Sequence, residues 1–384
     1  MLKCNKKTSE RTIVFYVFKE EVDFVNQLRD TLDDWLAPYE NYKQLSKLSD
    51  SVEDAKGYVQ KAEELRDKGF AHGQKGEKEA IKCYDEAVDL YQKAVQQCEN
   101  NRNLFVEQII IILVTKGIAF YQAGHKDEAI QVYDEVINTF GGGDNHSLDK
   151  WISKAFINKI RACGDSSSRD KEAIAACDEV VRRFRTAKDL SLKICVAIAL
   201  RDKAAILVRC GRLNEAIQAC DEVIHQFGQI EELKTYVGDA LVNKYYALKR
   251  ENRRDDMIAT CDDIMNRFSN KDRDTREYVN FALQRKVDAL YILNRYNEVR
   301  ATYDEFIDKF WPCDNDYVKE RVLTVLVYKV HDFLKLGDEE SADKFFEEAI
   351  VRRFGTDPAM KEKIKEERAT FEQQKELLPY LRDR

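Results

Sequence analysis

A lysine recurs seven times along this 384-residue chain, at Lys68, Lys116, Lys159, Lys203, Lys244, Lys286 and Lys329. An acidic residue follows each one 17 to 19 positions later: Asp85, Asp134, Asp178, Asp221, Asp262, Asp304 and Glu347. Around Lys116 the neighbours are apolar (Ile112, Leu113, Ala119, Phe120), and an ammonium group in such company must snorkel to water or pair with a carboxylate. A single lysine of this kind could be a catalytic nucleophile. Seven near-equivalent copies point to architecture, and the spacing predicts a ladder of Lys–carboxylate pairs, one inside each repeat. Other chemistry is thin. His72, His125, His146, His225 and His331 share no repeat position and no partner. Gly141-Gly142-Gly143 lacks the Lys-Ser/Thr ending of a phosphate loop and reads as a connector. The ten cysteines form no Cys-x-x-Cys pair and no Cys/His set with zinc-ligand spacing. No catalytic residue, metal or cofactor is expected.

The segment that must carry each acid is a motif rewritten along the chain. Glu128–Gly141 reads EAIQVYDEVINTFG, Glu172–Phe184 EAIAACDEVVRRF, Glu215–Gly228 EAIQACDEVIHQFG, Asp256–Phe268 DMIATCDDIMNRF and Glu298–Phe310 EVRATYDEFIDKF. Weaker copies stand at Glu79–Tyr91 and Ser341–Phe354. The acids are spaced by 49, 44, 43, 41, 42 and 43 residues, the mark of a stacked repeat array. Within one copy, Ala129, Ile130, Tyr133, Val136, Ile137 and Phe140 share one helical face, so the motif is an amphipathic helix, here called B. The lysine marks a preceding helix, A. It lies 13 residues before the Ala129-equivalent position in five copies, a constancy that a helical hairpin with a fixed turn explains. Gly124, Gly211 and Gly337 fall in that turn, while Gly141, Gly228 and Gly355 read as left-handed stops after helix B. Cys177, Cys220 and Cys261 occupy the slot held by Tyr84, Tyr133 and Tyr303 elsewhere, so they read as small buried hydrophobes.

With Lys116-Gly117-x-x-Phe120, then Gly124, then Ala129-x-x-x-Tyr133-x-x-Val136, the pattern resembles the tetratricopeptide repeat over roughly residues 60–355. That resemblance implies an all-α, right-handed α-solenoid of about seven antiparallel helix pairs with helical caps. The period exceeds the usual ~34 residues and the repeat-ending proline is missing. The surplus falls between helix B and the next lysine, which predicts an A helix extended at its start. Residues 1–50 read as an N-terminal helical cap, 51–356 as the array, and 357–384 as a C-terminal capping helix ending near Pro379.

Composition narrows the role. Charged residues make up 35% of the chain, prolines number four, and the net charge of −7 argues against a phosphate-backbone partner. Ile13–Phe18 is too short for a secretory core or a membrane span, and many untethered cysteines suit a reducing cytosol, so a cytoplasmic protein with no membrane partner is expected. The resemblance implies that the A helices line a concave groove for a peptide or protein segment. The residues two and five positions either side of each lysine would face it: Ile111, Val114, Ile118 and Tyr121, then Arg161, Arg201, Tyr246, Lys249, Phe281 and Tyr291. The function this implies is a non-catalytic scaffold or adaptor. The alternative is a peptide sensor whose coil tightens on binding.

Overall fold

A computed structural model of the chain describes residues 53–72, 77–97, 102–142, 148–164, 166–268, 272, 274–312, 316–335 and 337–382. The N-terminal cap and Ile13–Phe18 lie outside the described residues. Among the described residues every regular element is a helix, and the expected helix pairs follow one another in order. The chain divides into two compact units after Ile112.

The first unit holds α1 (Glu53–His72), α2 (Glu77–Gln97) and the beginning of α3 (Arg102–Gln122). α1 and α2 form the first A–B pair. Gly69 of α1 sits directly beneath the ring of Tyr84, where an added Cβ would come within 2.5 Å of it. Arg66 donates to Gln108 across 3.1 Å, and the rings of Tyr91 and Phe105 lie 6.3 Å apart.

The second unit continues with the remainder of α3 and with α4 (Lys126–Phe140), α5 (Asp149–Gly164), α6 (Asp170–Phe184), α7 (Leu190–Cys210) and α8 (Leu213–Phe227). Then come α9 (Lys234–Arg250), α10 (Arg254–Arg267), α11 (Arg276–Ile292), α12 (Tyr296–Phe310) and α13 (Asp316–Lys335). α14 (Glu339–Phe345) runs through a π-helical stretch, Phe346–Val351, into α15 (Arg352–Phe354). The π stretch has a sequence cause. Six residues separate acid from phenylalanine in Asp134–Phe140 and its homologous segments, but seven separate Glu347 from Phe354. One inserted residue widens a turn rather than breaking the helix. α16 (Lys361–Arg382) packs on α13 and continues through Pro379, which does not end it as expected; one missing amide costs a single ladder bond near the helix end.

The long period divides between helix and connector. α3, α7 and α13 are extended to 20 or 21 residues, as expected. α5, α9 and α11 have only 16 or 17, and there single turns such as the 3-10 segment Glu231–Leu233 take up the difference.

Glycine is used differently from the expectation. Gly141, Gly228 and Gly355 keep right-handed geometry, with φ of −80°, −61° and −62°. The left-handed positions are in the A-to-B turns: Gly124 (+89°), Gly211 (+78°) and Gly337 (+79°), with Asn252 (+60°) and Asn294 (+56°) filling the same place. Asparagine tolerates that conformation better than other non-glycine residues, so one turn is written in two spellings. After helix B a bare α-carbon serves access: a Cβ on Gly141 would lie 2.5 Å from the guanidinium of Arg183, which donates to the Gly141 carbonyl at 2.9 Å.

Packing inside the second to fifth pairs turns on one exchange of volume. The residue after the recurrent lysine is Gly117 in the second repeat, and the Tyr133 ring rests against it, 2.4 Å from where a Cβ would stand. In repeats three to five this residue becomes Ile160, Ala204 and Tyr245, and the facing slot shrinks to the fully buried Cys177, Cys220 and Cys261. Repeats six and seven, with Val287 and Val330, keep the aromatics Tyr303 and Phe346. We expect Gly117→Ala to destabilise the second repeat by about 1–3 kcal/mol through overpacking. Adding Tyr133→Cys, which recreates the Ala204–Cys220 combination, should recover part of the loss in a chemical-denaturation series. A double variant no more stable than Gly117→Ala alone would contradict the exchange.

Candidate functional site

The lysine ladder exists, but it joins different elements from those the sequence suggested. Lys159 reaches Asp134 at 2.6 Å, Lys203 reaches Asp178 at 2.5 Å, Lys244 reaches Asp221 at 2.6 Å and Lys286 reaches Asp262 at 2.5 Å, while Lys329 bonds Asp304. In every case the acid belongs to the B helix of the preceding repeat, 23 to 25 residues earlier. Each rung therefore ties a repeat to its predecessor, while Lys159 and Lys286 also reach an acid of their own repeat, Glu172 at 3.2 Å and Glu305 at 3.9 Å. The lysines are the more enclosed partners, with Lys286 and Lys329 each 11% exposed against 40% and 56% for their acids. Burial alone would depress the Lys159 amine, but Asp134 and Glu172 together hold it above its ordinary value.

A second set of charges flanks the first. An arginine just before helix B meets an acid three residues on: Arg169–Glu172 at 3.3 Å, Arg212–Glu215 at 2.6 Å, Arg253–Asp256 at 2.7 Å and Arg295–Glu298 at 2.5 Å. His125 and Glu128 hold the same positions 3.6 Å apart. Arg169 also reaches back to Asp127 and Arg295 to Asp255, at 2.5 and 2.6 Å. Further cross-repeat bonds close helix ends, as when Arg209 donates to the Gly164 carbonyl at 3.0 Å. Sequence reasoning missed this set, although Arg-x-x-Glu/Asp across the turn recurs visibly at Arg169, Arg212, Arg253 and Arg295.

The face opposite the lysines is where the sequence placed a groove. Consecutive A helices α5, α7 and α9 pack on one another. Arg161 on α5, Arg201 on α7 and Tyr246 on α9 are half-buried, and Lys249 is exposed. Beside them Ile157, Ile198, Val208 and Val242 are also half-buried, so apolar surface remains accessible along the row. Tyr291 on α11, and Ile118 and Tyr121 on α3, have intermediate exposure. Ile111, Val114 and Phe281 do not line an open face. They are 5%, 4% and 8% exposed and serve packing. α3 carries the apolar run 109–114, so more of its circumference is available for burial; by length and composition it could cross a membrane, a property the sequence reading passed over.

Arg201 is not a free anchor. It is held by Asp202 (2.9 Å) and Asp239 (3.4 Å) and lies over the Tyr236 ring. Asp239 also accepts from the Tyr278 hydroxyl at 2.7 Å, and burial pushes its carboxyl up against the pull of Arg201 and that hydroxyl. Tyr278 reaches this point because its ring packs on Gly238, 2.6 Å from where a Cβ would be. Arg201 and Asp239 stand two and five residues before consecutive ladder lysines, so their opposite charges were readable as a pair. Arg161 and Lys249 have no carboxylate partner among the described residues. Tyr246 forms an aromatic group with Tyr245 and Phe281, at centroid distances of 5.7 and 5.9 Å.

The thiols offer no nucleophile in this region. Burial pushes Cys163 up to about 11 and Cys195 to about 12, and raises Cys177 well above its ordinary value. Among the described residues no cluster of His, Cys, Asp and Glu could hold a metal ion.

The repeating A–B pair and the shared turn, with a glycine under the helix-B tyrosine in the first two repeats, give an all-α array of helix pairs that resembles the tetratricopeptide repeat in fold. No protein-family model and no curated protein matches the chain. Among solved structures, it is similar to a tetratricopeptide repeat protein from Parabacteroides merdae, at 14% identity and a TM-score of 0.38, over 80% of this chain and 97% of that one. It is also similar to PilF of Pseudomonas aeruginosa (13%, TM-score 0.37, 68% and 99%). A third is a signal-transduction ATPase with a tetratricopeptide repeat sensor from Pyrococcus horikoshii (11%, TM-score 0.41, 82% and 44%).

The register of the ladder is testable by double-mutant cycles. Lys286→Met with Asp262→Asn should show a coupling of about 0.5–2 kcal/mol, reduced from a fully buried pair because the acid is well exposed. Lys286→Met with Asp304→Asn, the pairing inside one repeat, should show none. The reverse result would restore the hairpin ladder.

Proposed function

We propose that the chain is a binding scaffold whose A-helix face, from α5 to α11, takes up a peptide or protein segment and performs no chemistry on it. The supporting observation is the accessible row of Ile157, Ile198, Val242 and Tyr246, bordered by the uncommitted cations Arg161 and Lys249. Apolar surface beside a few unpaired charges suits a segment with hydrophobic anchors and some acidic character. Many charges elsewhere in the repeats are taken up in ion pairs, within a helix or from one repeat to the next. The free thiols favour a reducing compartment, the cytosol, as the place of action.

The test is a random peptide library displayed and selected on the purified chain. Tyr246→Ala and Lys249→Glu should each weaken the selected peptides by at least about tenfold, as loss of a central anchor does. Their melting transitions should stay near that of the parent. Peptides that bind both variants as well as the parent would remove the A-helix face as the site.

A further inference from the structure

Three of the four large apolar side chains that remain exposed among the described residues gather at the joint between the sixth and seventh repeats. They are Ile292 (60% exposed), Tyr296 (44%) and Tyr328 (42%). Tyr291, at the end of α11, lies among them. Its ring is 5.9 Å from that of Tyr296, and its hydroxyl donates to Oδ1 of Asp332 on α13. Tyr303 completes the group, in contact with both Tyr291 and Tyr328.

Asp332 is the odd member. It is only 9% exposed, yet among the described residues no cation lies within ion-pair distance. Lys329, one turn earlier on the same helix, is committed to Asp304, and the nearby Asp288 is already held by Arg285 at 3.1 Å. Each ladder acid in this unit has a cationic partner, a lysine for Asp134 through Asp304 and Arg368 for Glu347, so a buried carboxylate answered only by a tyrosine hydroxyl departs from the rule of the array. Its second oxygen carries no hydrogen bond and is not sealed from solvent. Tyr328 stands four residues before Asp332, on the same side of α13, with its ring open to solvent.

We propose that Asp332, with Tyr328 and Tyr291 beside it, receives a lysine or arginine side chain of a bound protein or peptide segment. The carboxylate supplies the counter-charge and the ring faces supply the attraction of a π-system for a cation. This reading rests on the proposed binding role and adds a basic residue to the segment it takes up.

Capped tripeptides Ala-Arg-Ala, Ala-Gln-Ala and Ala-Glu-Ala serve as probes, titrated into the full chain and followed by aromatic NMR shifts. The arginine peptide should bind at least about tenfold tighter than the glutamine peptide, the glutamate peptide should not register, and Asp332→Asn should abolish the preference. Tyr328→Leu should weaken arginine binding severalfold while leaving the carboxylate in place. Tyr291→Phe removes the hydroxyl tie but keeps the charge, and should bind the arginine peptide at least as well as the parent. The proposal is overturned if arginine and glutamine peptides bind alike, or if Asp332→Asn binds as the parent does. It is also overturned if Tyr291→Phe fails like Asp332→Asn, since Asp332 would then act only as a tie between helices. Failure here, with library peptides still dependent on Tyr246, removes this subsite and leaves the binding face standing.

Discussion

An ammonium group enclosed by apolar side chains has to be answered by a carboxylate, and in this chain the answer comes from the neighbouring repeat. Leaving such a charge unpaired in the interior would cost several kcal/mol. Setting the lysine on helix A and the acid on the preceding helix B therefore couples the register of one pair to the next. Hydrophobic burial supplies most of the attraction between helices but tolerates sliding. A lysine–aspartate rung does not, because a shift of one helical turn carries the two groups about 5 Å apart. The ladder is better understood as a register device than as a store of stability, since its acids are half exposed and screened.

The same logic explains which parts of the fold were legible. Element type and order were readable because the 41–44-residue period and the 3.6-residue spacing of apolar positions agree in every copy. The π-helical stretch was also written in the sequence, as one residue too many between Glu347 and Phe354. The ladder's partners were not readable. Spacing along the chain gives the height of a side chain on its helix, and both the same-repeat acid and the previous-repeat acid sit at compatible heights. Choosing between them needs the direction in which the lysine face of helix A points, and that is fixed by how helices stack rather than by the hairpin. The stop glycines show the same limit: composition marks a helix end, but the φ angle there depends on what approaches it, and at Gly141 that is Arg183 from the next repeat.

The candidate face was partly legible for a related reason. Positions two and five residues from each lysine share one face by helical geometry, but how much of that stripe stays open depends on local helix packing. α3 is apolar over most of its circumference, so its Ile111 and Val114 are absorbed into packing. α9 has a polar and a cationic residue among its stripe members, and Tyr246 and Lys249 remain accessible. Arg201 belongs to neither case. It lies on the stripe, but Asp202 and Asp239 neutralise it, so it helps to fix α7 against α9 and leaves recognition to its neighbours.

That distinction gives a general criterion for a repeat protein built on ion pairs. When nearly every charge has a partner at the equivalent position one repeat away, charge alone says little about function, because most of it is structural and periodic. Information lies where the period fails. Among the described residues Arg161 and Lys249 have no acid and Asp332 has no cation within ion-pair distance, each at a position where its counterparts in other repeats are apolar, neutral or paired. A partner that supplied the missing charges would complete the pattern. It would also be discriminated from uncharged competitors, since they would leave at least one group desolvated and unanswered. Selectivity of that kind is carried by a few departures from the repeat, and the regular ladder holds them at fixed separations along the array.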